Sequence, residues 1–413
     1  MLAGESGVGV QRAMEILVAL ARIFGAPDLV PVASVQVSGV SYKNLGDSGL
    51  QFIQEWAGEG ARVRVPTTLN PAGLDLVDWR ALGFPEDFAS RQQAVLDAYR
   101  ALGIEATCTC TPYLAGSSPA FGQHVAWAES SAVSYVNSVL GARTNREGGP
   151  SALAAAIAGR TPRYGLHRAE NRRPTAIVEV RCKLQTDSDW GALGYLVGKG
   201  LGAGIPVFRL HDQDPQPANL RALGAAMASS GAVALFHVEG VTPEARLGVR
   251  PVPGATEVTI DDLSEAYRAL NGPLDTIDIV SIGCPHASLK ELHSIAERLS
   301  GRSLRAELWV TTSREVKQRA LDLHILDQFQ ESGARVVADT CLVVAPIKAL
   351  GYRSLATNSA KMALYTPSHS GLSVRFGSLQ QCLQAAETGR WPFGDPAATS
   401  PPGPTWAAEA VGL

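Results

Sequence analysis

Charge is scarce in this chain and favours neither sign. Asp, Glu, Lys and Arg make up 18% of its 413 residues, the net charge is −3, and no long run of one sign occurs. A protein that grips a polyanion by releasing counterions needs a concentrated basic face, so nucleic acid is excluded as a partner. Cysteine is scarce as well. Six in a chain of this size build no disulfide framework, and Cys108 and Cys110 stand too close for an easy bridge, which points to a reducing compartment. Long apolar runs are missing: the longest uncharged stretches are broken by Pro112, Pro119 and Ser229-Ser230-Gly231, and Glu5 stands where a secretory signal carries Lys or Arg. The expectation is a cytoplasmic protein that spans no membrane.

Familiar catalytic signatures are missing too. Gly198-Lys199-Gly200 has Leu193 where a phosphate loop needs glycine and Gly200 where it needs Ser or Thr, while Gly200-Leu201-Gly202 completes no dinucleotide fingerprint. Gly4-Glu5-Ser6-Gly7-Val8 ends in Val, so it is no nucleophile elbow. Neither a His-Glu-x-x-His zinc helix nor a Cys-x-x-Cys pair occurs. Ordinary hydrolase, dehydrogenase and kinase readings therefore fall away.

What is there is an ample core, 46% apolar, arranged in alternation. Helical periodicity over 11–24, 85–102, 149–158, 218–228, 289–299 and 315–331 alternates with short β-branched runs at 29–37, 62–65, 176–180, 206–210, 232–237, 277–282, 306–310 and 335–338. Strands separated by helices need crossover connections, so the sequence predicts an α/β protein of several lobes with parallel sheets flanked by helices. Arg-, Pro- and Gly-rich stretches at 160–174 and 247–255 are candidate lobe junctions, and 391–413 reads as a loose Pro/Ala-rich tail.

Polar, rigid runs stand where these strands end, the edge at which parallel sheets bind ligands. Ser41, Lys43 and Asn44 follow the first strand; Thr67, Thr68 and Asn70 are held between Pro66 and Pro71; Ser130, Asn145 and Arg146 precede a helix starting at Gly149. Hydroxyls, amides and a guanidinium of this kind suit a small anionic substrate, although Asp47 and Ser48 equally suit a helix cap and the Thr-Thr run a plain turn. Cys110, Cys284 and Cys341 occupy three further strand ends. One free cysteine is usually an inert hydrophobe, the reading for Cys182 and Cys382, but three at one active edge suggest a soft metal site, iron–sulfur or zinc.

The runs Val-Ser-Gly-Val-Ser-Tyr-Lys-Asn from Val37, Val-Pro-Thr-Thr-Leu-Asn-Pro-Ala-Gly from Val65, Thr-Asn-Arg-Glu-Gly-Gly-Pro-Ser from Thr144, Gly-Cys-Pro-His from Gly283 and Asp-Thr-Cys from Asp339 resemble the catalytic large part of aconitase X. The resemblance covers 1–390. It implies an aconitase-like dehydratase whose iron centre, a 4Fe-4S or 2Fe-2S cluster or mononuclear iron, is held by Cys110, Cys284 and Cys341. It also implies a small swivelling domain carrying a serine base, which this chain lacks, hence a separate small subunit. Two substrates are known in the family, cis-3-hydroxy-L-proline and 5-phosphomevalonate. The Arg- and Ala-rich composition of a GC-rich bacterial chain favours hydroxyproline, with phosphomevalonate as the alternative. A non-catalytic scaffold is the further alternative, weakened by retention of all three cysteines.

Overall fold

The computed structural model describes residues 1–392, so the tail expected over 391–413 lies outside the described residues from 393 onward. The strands assemble into three wholly parallel sheets flanked by helices, together with one short antiparallel ribbon. This is the multi-lobed α/β architecture that the alternation predicts.

The first lobe orders Thr67–Leu69, Val35–Val37 and Ala126–Trp127 side by side. In the second the order is His237–Val238, Pro206–Leu210, Ala176–Val180, Thr256–Ile260. In the third it is Arg335–Ala338, Glu307–Thr312, Ile279–Ile282, Ser354–Thr357, Ser373–Phe376. One rule governs all three: the strand that comes first in sequence lies inside, and the chain winds outward on one side before crossing to the other. Each reversal opens a crevice at the carboxyl end of that first strand.

Local chemistry corrects several sequence-based boundaries. The run 29–37 divides into Leu29–Pro31, paired antiparallel with Arg160–Pro162, and Val35–Val37 in the first sheet. The expected strand at 62–65 is irregular because its amides are used elsewhere, Val63 N on Leu102 O (2.9 Å) and Arg64 N on Ala156 O (2.8 Å). Residues 315–331 form two helices, Arg314–Asp322 and Asp327–Ser332, separated where His324 takes a left-handed φ of 57°. The stretch 247–255 leads into Thr256–Ile260, which pairs with Ala176–Val180, so it is a connection within the second lobe rather than a boundary between sheets.

Helices that leave the carboxyl edges are started by their own side chains. Thr186 with Asp189, Ser288 with Glu291 and Ser378 with Gln381 form capping boxes at three of them. Their first turns are thereby fixed where the crevices open.

Candidate active site

Three cysteines converge from three segments. Cys284 follows Ile279–Ile282, the internal strand of the third sheet, after Gly283, whose φ is 94° and where a Cβ would lie 2.2 Å from Thr311 O; only glycine lets the chain turn there. Cys341 follows Arg335–Ala338 by way of Asp339 and Thr340. Cys110 comes from the first lobe, on an extended stretch where Thr109 N donates to Leu69 O at 2.9 Å.

His286 ties these segments together. Its backbone N donates to Cys110 Sγ (3.2 Å), and its ring Nε2 lies 3.0 Å from Thr340 O, a carbonyl that can only accept. Nδ1, 3.0 Å from Thr109 Oγ1, is then the acceptor, which makes the ring a neutral Nε2–H tautomer. Burial pushes its pKa down to about 4 and keeps it neutral. A single buried ring thus links the chain at Cys110, Cys284 and Cys341.

A buried ion pair supplies the charge. Lys361, in the first turn of Ala360–Ser370, pairs with Glu129 and lies 3.2 and 3.3 Å from Ser130 Oγ and Ser131 Oγ. Glu129 in turn caps Ser130–Ser138, accepting from Ser131 Oγ and Ala132 N, each at 2.6 Å. Burial alone would neutralise both partners, but each holds the other charged. Burial likewise drives the three thiols up, Cys284 to about 12, and the Lys361 ammonium opposes it at all three.

The first lobe is clamped onto this edge. Asp75 accepts from Ala338 N at 2.8 Å and pairs with Arg314, which also pairs with Asp339. Ser41 Oγ donates to Val344 O (2.8 Å) and Lys43 Nζ to Ala345 O (3.0 Å), so these two predicted residues reach the site by gripping the backbone after Cys341. Asn70 leaves a buried Oδ1 without a partner at the end of its strand, and Ser130 belongs to the Lys361 cluster.

Other expected residues stand elsewhere. Thr67 and Thr68 lie inside the strand rather than after it, their hydroxyls returned to Val65 O (2.9 Å) and Val35 O (3.4 Å), because the hydrogen-bonded strand begins five residues later than the apolar run. Asn145 spends its amide on Tyr164 O (3.1 Å) and Leu166 N (2.8 Å), which fixes a turn. Asn44 is exposed, and Arg146 is exposed with Nη1 3.5 Å from Ala228 O. Lys361 and Arg221 carried no local sequence signal. Arg221 is buried against Glu291, seventy residues away.

A cavity of about 430 Å³ opens beside Cys284, between the second and third lobes. Asp187, Arg221, Glu291, Arg298 and Asn358 line it. Burial, then the nearby Glu291 charge, raises the Asp187 carboxyl above its ordinary value, while Asn219 Nδ2 holds it at 2.7 Å. Among the described residues, no three His, Cys, Asp or Glu side chains are drawn close enough to hold a single metal ion. The donor chemistry nonetheless fits an iron–sulfur centre: three thiols on three segments, a buried cation whose field reaches each, and the buried, unpartnered hydroxyl of Thr340, the residue before Cys341.

Comparison with known proteins identifies the family and the fold. Family profiles of the aconitase X first, second and third domains match residues 1–170, 174–268 and 277–388. The phosphomevalonate dehydratase large subunit of Methanothermobacter thermautotrophicus is 52% identical over 91% of this chain and 94% of its own. The cis-3-hydroxy-L-proline dehydratase of Pseudomonas aeruginosa is 38% identical over 96% of this chain and 70% of its own. A crystal structure of Thermococcus kodakaraensis aconitase X in its holo form superposes with a TM-score of 0.85 at 47% identity, covering 93% of this chain and 97% of that one. Carrying all three domains of one family and that family's fold, the chain belongs to the aconitase X family and is a dehydratase, a carbon–oxygen hydro-lyase.

Proposed function

We propose that this chain is the large subunit of a phosphomevalonate dehydratase. The observation that carries the reading is that four phosphomevalonate enzymes are 46–52% identical to this chain, a fifth 36%, and two hydroxyproline enzymes 36–38%. The Arg- and Ala-rich composition that favours hydroxyproline reports on codon usage, not on a binding site, and so carries less weight.

Phosphomevalonate is a β-hydroxy acid, so dehydration removes the C2 proton and the C3 hydroxyl and leaves an α,β-unsaturated carboxylate with its phosphate intact. Hydroxide is a poor leaving group and the C2 proton only weakly acidic, so both ends of the elimination need assistance. Cys110, Cys284 and Cys341 would hold the iron–sulfur centre, which supplies a Lewis acid toward the departing hydroxyl. The chain's own groups do the rest. Lys361, kept charged by Glu129, offsets the negative charge of the thiolates, and His286 keeps their three segments in register. Ser130 Oγ and the free Oδ1 of Asn70 stand ready to orient the substrate's polar groups. The base is a serine delivered by a separate small subunit: relatives that are themselves large subunits support the separate subunit, and the family resemblance supports the serine.

The test is anaerobic assembly with the small subunit, followed by iron analysis and separate assays of water loss from phosphomevalonate and cis-3-hydroxy-L-proline. Turnover of the phosphate ester with bound iron is expected. Turnover of hydroxyproline alone would overturn the substrate, and an active enzyme free of iron would overturn the cofactor. Cys110→Ser, Cys284→Ser and Cys341→Ser should each abolish the visible absorption of the reconstituted chain, whereas Cys182→Ser, at a partly exposed strand exit, should keep it.

A further inference from the structure

Among the described residues that line the cavity beside Cys284, one cation is uncommitted. Both of its carboxylates are engaged: Glu291 pairs with Arg221 and accepts from Ser288 N at 2.8 Å, and Asp187 accepts from Asn219 Nδ2 at 2.7 Å. Arg221 is spent on Glu291. Arg298, in the last turn of Leu289–Leu299, lines the same cavity and has neither an ion pair nor a hydrogen bond among the described residues. The side chain of Asn358, just past the strand Ser354–Thr357, is likewise without a partner there. Seven residues separate Glu291 from Arg298, about 10 Å of helix, so the free guanidinium stands two turns away from the cysteine end.

We infer that Arg298, with Asn358 beside the cavity, receives the phosphate of the substrate and makes phosphorylation a condition of tight binding. This rests on the phosphomevalonate reading. A substrate with a single carboxylate next to the reacting carbons would use the Cys284 end and leave Arg298 without a counter-ion. A substrate with a second anion at the end remote from those carbons fills both ends. Guanidinium presents its donors as a planar fork that matches phosphate oxygens, so the choice of Arg fits the ligand. The amino ends of Ala360–Ser370 and Leu379–Thr388 open onto the same space and add to the positive field there.

The experiment uses the assembled large and small chains. Arg298→Gln should raise the KM for phosphomevalonate at least tenfold while kcat falls less than threefold, and should weaken competitive inhibition by inorganic phosphate by a similar factor. Arg298→Lys, which keeps the charge but loses the fork, should recover part of both. Arg298 is exposed, and a circular dichroism spectrum matching wild type establishes that the variants fold. If wild type turns over phosphomevalonate and neither variant changes KM or phosphate inhibition, the assignment of Arg298 is wrong and the phosphomevalonate reading stands. If wild type turns over only hydroxyproline, the reading fails and takes this assignment with it.

Discussion

Lys361 is the residue on which the electrostatics of the site depend. Its partner Glu129 is buried and cannot reach water when the ammonium is removed. Lys361→Met should therefore lower unfolding free energy by about 3–5 kcal/mol in urea titrations, with Glu129→Gln added to it restoring part of the loss. A loss below about 1 kcal/mol would mean that the pair is solvated. His167 gives a second test. It is buried 3.0 Å from His124 Nδ1 and held down to about 3 from 6.5, by burial first and then by His124, Arg172 and Arg143. The unfolded chain binds this proton more readily, so the contribution is fully present above pH 6.5 and is lost as pH falls toward 3. Between pH 7 and 5 it should cost about 2 kcal/mol of stability, a slope that His167→Gln should lessen. At this scale the sequence was half legible. Cysteines after strand-like runs announce themselves, but Lys361 and Glu129 lie 232 positions apart and no local pattern joins them. Asn145 looked available because nothing in its neighbourhood reveals that Tyr164 and Leu166 consume its amide.

Glycines set the spacing between elements. Asp187–Leu201 and Pro217–Ser230 pack closely because a Cβ on Gly194 would lie 2.5 Å from Leu223 O, and one on Gly198 would lie 2.8 Å from Met227 O. This is what the glycine-rich run around Lys199 does in place of cradling phosphate. Gly198→Ala should cost about 1–3 kcal/mol by overpacking, and because Asp187 and Asn219 begin these two helices, it should also raise KM. An unchanged melting temperature would show that the helices can separate at no cost. Most long helices and the central strands were readable from periodicity. Ser354–Thr357 and Ser373–Phe376 were not, since runs of only four residues, each broken by polar side chains, resemble loops until a neighbouring strand pairs with them. The strand at Thr67–Leu69 escaped for the reverse reason: the apolar run before it finds its hydrogen bonds on helix ends.

At the scale of the whole molecule, three sheets wound by one rule bring their open edges together, so that each lobe adds one part of the chemistry. The first brings Cys110 and Glu129, the second Asp187 and Arg221, the third Cys284, Cys341, Lys361 and Arg298. Such a site needs all three lobes, and the proposed small subunit adds the base. The large chain alone should therefore bind iron yet turn over at less than about a hundredth of the rate of the assembled enzyme, the scale of a lost general base. Whether the enzyme is built for a substrate with two anionic groups is tested by competition. Phosphomevalonate and cis-3-hydroxy-L-proline, at equal concentration in one anaerobic reaction with both subunits, compete in the ratio of their kcat/KM values, which the product ratio reports. At least a hundredfold excess of the phosphorylated unsaturated acid is expected; an excess of the proline-derived product would refute the phosphomevalonate reading.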